Sequence, residues 1–199
     1  AVLVEAPGSQ SFEMQDVPAI AEAVHARGGT VIMDNTWATP LLFPPHERGV
    51  DIAVEAGTKY LSGSSDLLLG LGSANARWYP AVKRTFEHFA PCAGPEDIFL
   101  GLRGLRTMGL RLREHGTRGL AMAQWLQARP EVAKVLHPGL PDDPGHAIWK
   151  RDFSGASGLF GVILKPVSEH ALAALLDGLE LFGMGFSWGG FESLVIPFD

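Results

Sequence analysis

The chain has 199 residues, 46% of them hydrophobic and 19% charged, a composition that supports a sizeable core and excludes a disordered or coiled-coil chain. With 16 basic against 22 acidic residues the net charge is −6, which argues against a nucleic-acid surface while leaving room for a local basic pocket and an anionic small molecule. The single cysteine, Cys92, cannot form an internal disulfide and fits a reducing cytoplasm; no apolar run approaches the ~18 residues of a membrane span, and the first residues lack the basic flank of a signal peptide.

The first third alternates strand and helix signals. Val2 to Val4 is a short apolar run. Asp16 then caps a predicted helix, with Pro18 in its first turn, Val17, Ile20, Ala21 and Val24 at helical spacing, and Gly28-Gly29 as its stop. Thr30 to Met33 reads as a buried strand ending in the polar cluster Asp34-Asn35-Thr36. Val50 to Val54 reads as another, followed by Gly57-Thr58-Lys59, and Leu67 to Ala76 as a glycine-punctuated third in which Gly70 and Gly72 are close-packing positions. Strands separated by helices or long crossovers predict an α/β fold with a mainly parallel sheet. Polar residues just past such strand ends face the ligand crevice, and Asp34 and Lys59 both stand there.

Helices are predicted from Trp78 to Phe89 and from Pro95 to about Ala128, the second with a kink at Glu114-His115-Gly116 and with Arg103, Arg106, Arg111, Arg113 and Arg118 on a solvated or subunit-contacting face. Strands follow at Val132 to Leu136 and Gly158 to Leu164, then a helix from His170 to Asp177 capped by Ser168, and a short strand at Leu179 to Phe182. Residues 1–105 are expected to form part of a large α/β domain and residues 106–199 an incomplete smaller α+β domain. Both ends of the chain abut apolar runs, Val2-Leu3-Val4 and Ser193-Leu194-Val195-Ile196, so a piece of a longer protein is expected.

Of the five lysines, Lys59 stands apart. Lys83, Lys134, Lys150 and Lys165 have ordinary surface contexts, whereas Lys59 follows an apolar strand and a Gly-Thr turn. Partial burial there lowers the ammonium pKa and makes the amine a usable nucleophile and base; the plain alternative is an exposed loop lysine. Asp34 lies one strand-crossover-strand unit earlier, at the same sheet edge. An imine-forming lysine beside an aspartate that faces a pyridinium nitrogen is what pyridoxal phosphate requires. The seven histidines show no metal-ligand spacing, so no metal site is expected; His25 ends a helix, and His88, His115, His137, His146 and His170 read as solvated or capping.

Asp34-Asn35-Thr36-Trp37, Gly49-Val50-Asp51-Ile52 and Thr58-Lys59-Tyr60-Leu61, with Gly63 and Ser65-Asp66, resemble the pyridoxal-phosphate signature of the Cys/Met-metabolism enzyme family. Gly101 to Thr107 resembles the family's helix motif. Trp149 to Phe153, Ser157 to Phe160 and Ser187 to Leu194 are similar to its bacterial members that cleave cystathionine by β-elimination. The resemblance covers essentially the whole chain. It implies the aspartate-aminotransferase-like, type I fold and pyridoxal 5'-phosphate as cofactor. It also implies a carbon–sulfur lyase of methionine biosynthesis that converts L-cystathionine to homocysteine, pyruvate and ammonia, with cysteine desulfhydration as a side activity.

By the same resemblance Lys59 holds the cofactor and removes the Cα proton, Asp34 binds the ring nitrogen, Thr58 binds the phosphate, and Ser187 and Trp188 line the substrate side. Tyr60 is expected to pack rather than react. Two positions depart from the family: Ser64 stands where a histidine is common, and Ala56 where many members have a phosphate-binding serine. Members are about twice this length, so the phosphate turn, the ring-stacking aromatic and the carboxylate-binding arginine are expected outside this chain, and the isolated fragment is expected to be inactive. The family implies a homotetramer built as a dimer of dimers, and the cysteine usage a cytoplasmic location. A γ-synthase or γ-lyase relative, or a truncated non-catalytic chain, are the competing readings.

Overall fold

The computed structural model describes residues 1–198; Asp199, the last residue of the expected C-terminal piece, lies outside the described residues. Four strands form the main sheet in the order β1 (Val2–Glu5), β2 (Val31–Asp34), β3 (Ile52–Ala56) and β4 (Gly70–Ala74). The first three are parallel, with Val4 beside Met33, Met33 beside Ala53 and Asp34 beside Val54. β4 returns antiparallel to β3, so the sheet is mainly parallel with one reversed strand.

Period-2 burial explains how the sheet seats itself. Val31 and Met33 are fully buried and alternate with half-buried Ile32 and Asp34. The buried face meets Val17 and Ala21 of helix α1 (Val17–His25) in one core with Val4, Phe43, Val50 and Ala53. Asp16 caps α1 by accepting the Ala19 N–H at 3.1 Å. Buried Asp51 accepts from Val31 N at 2.8 Å, His25 Nε2 at 2.8 Å and Asn75 Nδ2 at 2.8 Å, which ties β2, the end of α1 and the end of β4 to the start of β3. Burial opposes its ionisation, but these hydrogen bonds outweigh burial and hold its carboxyl below the usual carboxylate range.

Between the strands lie a short helix α2 (Thr39–Leu42) and a 3₁₀ turn at Pro45–Arg48. Helix α3 (Tyr79–Phe89) precedes the long helix α4 (Pro95–Gln127), which runs unbroken through the expected kink and through position 105. At the kink position, a Cβ on Gly116 would strike the Ala156 carbonyl, so this glycine admits a close chain crossing.

Beyond α4, β5 (Val132–Leu136) pairs antiparallel with β6 (Gly161–Leu164), around a helix α5 (His146–Asp152) that the sequence reading left out. Helix α6 (Glu169–Asp177) is capped by Ser168, which accepts from Ala171 N at 3.2 Å. The last pair, β7 (Gly183–Met184) and β8 (Leu194–Val195), is parallel; the strand expected at 179–182 is displaced to β7. The strand expected at 67–76 is confined to β4, because Leu69 bonds instead to Thr58, its N–H to Thr58 Oγ1 at 3.1 Å. Gly70 and Gly72 are not close-packing positions: nothing lies within 4 Å of where their Cβ atoms would be.

The C-terminal segments pack onto the first core. Phe153, just after α5, sits 4.6 Å from Phe43 between ring centroids, and Trp37 Nε1 donates to the Leu159 carbonyl at 2.9 Å. A second, smaller cluster joins Ala123 of α4 to Val135 and Leu140.

Candidate active site

The parallel strands end together, and the polar residues just beyond them are joined by hydrogen bonds. Asp34 Oδ1 accepts from Thr36 N at 2.9 Å and from Thr36 Oγ1 at 2.6 Å. Thr36 Oγ1 in turn accepts the Ala56 N–H at 2.9 Å, and the Ala56 carbonyl accepts the Lys59 N–H at 3.0 Å. This chain of contacts runs from the carboxylate at the end of β2 to the backbone of Lys59 beyond β3. Thr36 is the hinge of the chain, and it escaped the sequence reading as a site residue because its partner lies 20 residues away on the next strand.

Past β3 the backbone makes a helical turn over residues 57–63. Ser62 N bonds the Gly57 carbonyl at 3.0 Å and Gly63 N bonds the Lys59 carbonyl at 2.9 Å. From that turn the half-buried Lys59 side chain donates from Nζ to Ser187 Oγ at 3.0 Å and stands 5.2 Å from the centre of the Trp188 ring. Ser187 and Trp188 come from the connection between β7 and β8. Their approach to Lys59 requires Gly189: its φ is +79°, and a Cβ there would lie 3.0 Å from Tyr60 N. The same segment is tied down where Ser65 donates to Glu192.

The electrostatics follow from partial burial. Burial pushes the Lys59 ammonium below its ordinary pKa. Glu55, at the end of β3, is raised to about 7, first by burial and then by the negative charge of Asp34. Thr58 Oγ1 accepts from Leu69 N at 3.1 Å, which leaves its O–H proton free to donate. An open cleft of about 660 Å³ lies beside it, lined by Thr58, Ser65, Asp66, Asp97 and Ser187. Lys59 and Asp34 are not among the lining residues; Lys59 is tied to the cleft by its hydrogen bond to Ser187.

Tyr60 is buried and packs, with its ring 5.4 Å from Trp188 and 5.3 Å from His115, and its hydroxyl accepting from Gly158 N at 2.9 Å. Two expectations are corrected. His137 is not solvated: it is fully buried, with Nδ1 accepting from Gly139 N at 2.9 Å, and His115 is half-buried against Tyr60. Arg111 is not on a solvated face; it turns inward from α4 to the turn that bears Lys59.

These groups suit pyridoxal phosphate. An amine with a depressed pKa can condense with its aldehyde, a carboxylate can face its ring nitrogen, and a free hydroxyl proton can meet its phosphate. Among the described residues only Oδ1 of Asp34 is engaged, which leaves Oδ2 open. No helix among the described residues is long and apolar enough to cross a membrane.

Comparison with known proteins gives a family match. The model of the Cys/Met metabolism PLP-dependent enzymes matches residues 1–197. A Rhizobium johnstonii protein, provisionally named a cystathionine beta-lyase, is 53% identical over 199 residues, covering 98% of this chain and 50% of the relative. The cystathionine beta-lyase of Salmonella typhimurium is 45% identical over 198 residues, covering 98% of this chain and 50% of that protein. Among solved structures, cystathionine gamma synthase from Xanthomonas oryzae pv. oryzae in complex with aminoacrylate and cysteine superposes with a TM-score of 0.92 at 34% identity, covering 97% of this chain and 50% of that one. The chain thus spans about half the length of the curated relatives it matches.

Proposed function

Because the chain belongs to the Cys/Met metabolism PLP-dependent enzymes, we propose that it carries the lysine-bearing half of a carbon–sulfur lyase that splits L-cystathionine by β-elimination. The observation that carries this reading is the half-buried Lys59 amine, 3.0 Å from Ser187 Oγ and beside Trp188, with Asp34 bonded through Thr36 and Ala56 to the same turn. When bound, pyridoxal phosphate supplies the electron sink that lets a Cα–H bond ionise.

The residues divide the remaining work. Lys59 Nζ anchors the cofactor and then, as a free amine, takes the Cα proton; its depressed pKa favours the unprotonated form this requires. Asp34 holds a proton on the ring nitrogen through its open Oδ2. Thr58 donates its hydroxyl proton to the phosphate, and Ala56 supplies no second hydroxyl there. Ser187 orients Lys59 Nζ, and the Trp188 ring walls the substrate side. The Cβ–S bond breaks with its electron pair leaving on sulfur, and the homocysteine thiolate takes up a proton. The three-carbon enamine left behind reacts with water to give pyruvate and ammonia.

Residues 1–105 serve the cofactor side and residues 106–199 the smaller α+β side, with the reacting groups contributed by both. The complete protein is read as a cytoplasmic enzyme of methionine biosynthesis, a homotetramer of paired dimers, with cysteine desulfhydration as a side reaction; family resemblance supports these points. The 199-residue chain alone is read as inactive, because it spans half the length of its relatives.

Product analysis of the complete protein with L-cystathionine tests the reaction: pyruvate is expected, and 2-oxobutyrate would mark γ-elimination instead. Lys59→Ala is expected to lower turnover by ~10²–10⁴-fold, and a variant with undiminished turnover would overturn the role of Lys59.

A further inference from the structure

The turn that carries Lys59 has orphan carbonyls, and one side chain collects them. Arg111 Nη1 donates to the Tyr60 carbonyl at 2.8 Å, and Nη2 donates to the Leu61 carbonyl at 3.1 Å and the Gly104 carbonyl at 2.8 Å. Its Nε donates to Thr107 Oγ1 at 3.0 Å, which fixes the guanidinium plane. Arg111 thus spans from two carbonyls of the 57–63 turn to its own helix α4, 50 residues away in sequence.

The surrounding residues leave space for this arginine. Gly63 has a φ of +67°, and a Cβ there would collide with Arg111 Nη1. A Cβ on Gly104 would strike the Leu61 and Ser62 carbonyls, so α4 lies directly on the turn. One helical turn beyond Arg111, His115 packs its ring edge-on to Tyr60 at 5.3 Å, and Tyr60 also meets Trp188 at 5.4 Å. The Trp188 ring is the one that stands 5.2 Å from Lys59 Nζ. A continuous packed path therefore leads from Arg111 to Lys59 by two routes, the carbonyls of the turn and the Tyr60–Trp188 stack.

We infer that Arg111 is a positioning residue for the proposed lyase reaction: by clamping the Tyr60 and Leu61 carbonyls it fixes the turn from which the Lys59 amine reaches the reacting carbon. This rests on the reading of Lys59 given above. The three carbonyls are divided between two nitrogens of a rigid planar fork, a geometry that an ammonium, with all its donors on one nitrogen, does not reproduce. Arg111 is not among the residues that line the cleft, and its contacts with the turn are to backbone carbonyls, so its action is through the backbone of the turn.

The test compares wild type, Arg111→Lys and Arg111→Met in the complete protein. Hydrogen exchange at the Gly63 amide, which bonds the Lys59 carbonyl, is read without cofactor; kcat and KM for L-cystathionine are read with pyridoxal phosphate. For Arg111→Lys a thermal midpoint within ~4 °C of wild type, faster Gly63 exchange and a kcat lower by ~10–100-fold with KM nearly unchanged are expected. Wild-type exchange or wild-type kcat in both variants would overturn the inference. So would an Arg111→Lys variant that fails to fold, since the fork would then be needed for folding and not for positioning. Borohydride reduction of wild type separates the two readings. Wild type with no cofactor fixed on Lys59 contradicts the reading of Lys59, whereas normal labelling with unaffected Arg111 variants contradicts the role of Arg111 alone.

Discussion

Glu55 sits at the end of β3 with its carboxyl raised to about 7, by burial first and by Asp34 second. Between the ordinary value of 4.5 and about 7 the folded chain therefore holds more protons on Glu55 than the unfolded chain does. Unfolding free energy must then fall as pH rises through that window. Glu55→Gln in the cofactor-free protein is expected to remove this part of the slope and to raise the thermal midpoint at pH 8 by ~2–4 °C; melting both proteins at pH 5 and pH 8 checks it. Thr36 is the other residue on which the strand ends depend. Thr36→Val leaves the Ala56 N–H without its acceptor and removes one of the two hydrogen bonds to Asp34 Oδ1, the Thr36 N–H bond remaining, so a loss of ~1–3 kcal/mol is expected by denaturant titration, together with weaker cofactor binding. The positions of Asp34 and Lys59 at strand ends were legible because short apolar strands ending in polar residues advertise a crevice in the sequence itself. Thr36 and Arg111 were not, because their partners lie 20 and 50 or more residues away and no local pattern encodes a side chain that reaches across strands.

Helix α4 is the element that holds the site from behind. Its glycines differ in what surrounds them, and this yields opposite expectations from the same substitution. Gly104→Ala puts a methyl into the backbone of the Lys59 turn, with Ser62 Cα only 2.7 Å away, and is expected to destabilise by ~1–3 kcal/mol. Gly109→Ala meets nothing closer than Leu41 Cδ1 at 3.7 Å and is expected to stabilise by up to ~1 kcal/mol through helix propensity. Chemical denaturation of the two variants checks the pair. Caps and periodicity made α1, α3, α4 and α6 readable in advance, with Asp16 and Ser168 capping where expected. Helix α5 was hidden because it is short, has no side-chain cap and follows a proline-rich loop. The two-residue strands β7 and β8 depend on each other across a loop rather than on any local preference.

At the scale of the whole chain, the C-terminal half is seated on the first sheet by aromatic packing and by charge. Phe153 is 7% exposed within the first core, and Phe153→Ala is expected to lose ~3–5 kcal/mol in denaturant titration. Arg151 donates to Asp16 at 2.7 Å and to buried Asp152 at 2.6 Å, so the cap of α1 is also the docking point of α5. This seating brings Ser187 within hydrogen-bonding distance of Lys59 across 128 residues of sequence. The composition could bound the fold class, and the family motifs could nominate Ser187 and Trp188, but no periodicity could bring them to Lys59; that juxtaposition belongs to the packed molecule. The central claim is that Lys59 is the amine that bonds to pyridoxal phosphate. The most direct measurement is borohydride reduction of the complete, cofactor-loaded protein followed by peptide mass analysis. The phosphopyridoxyl mass is expected on the peptide bearing Lys59, and its appearance on another lysine, or on none, would contradict the account.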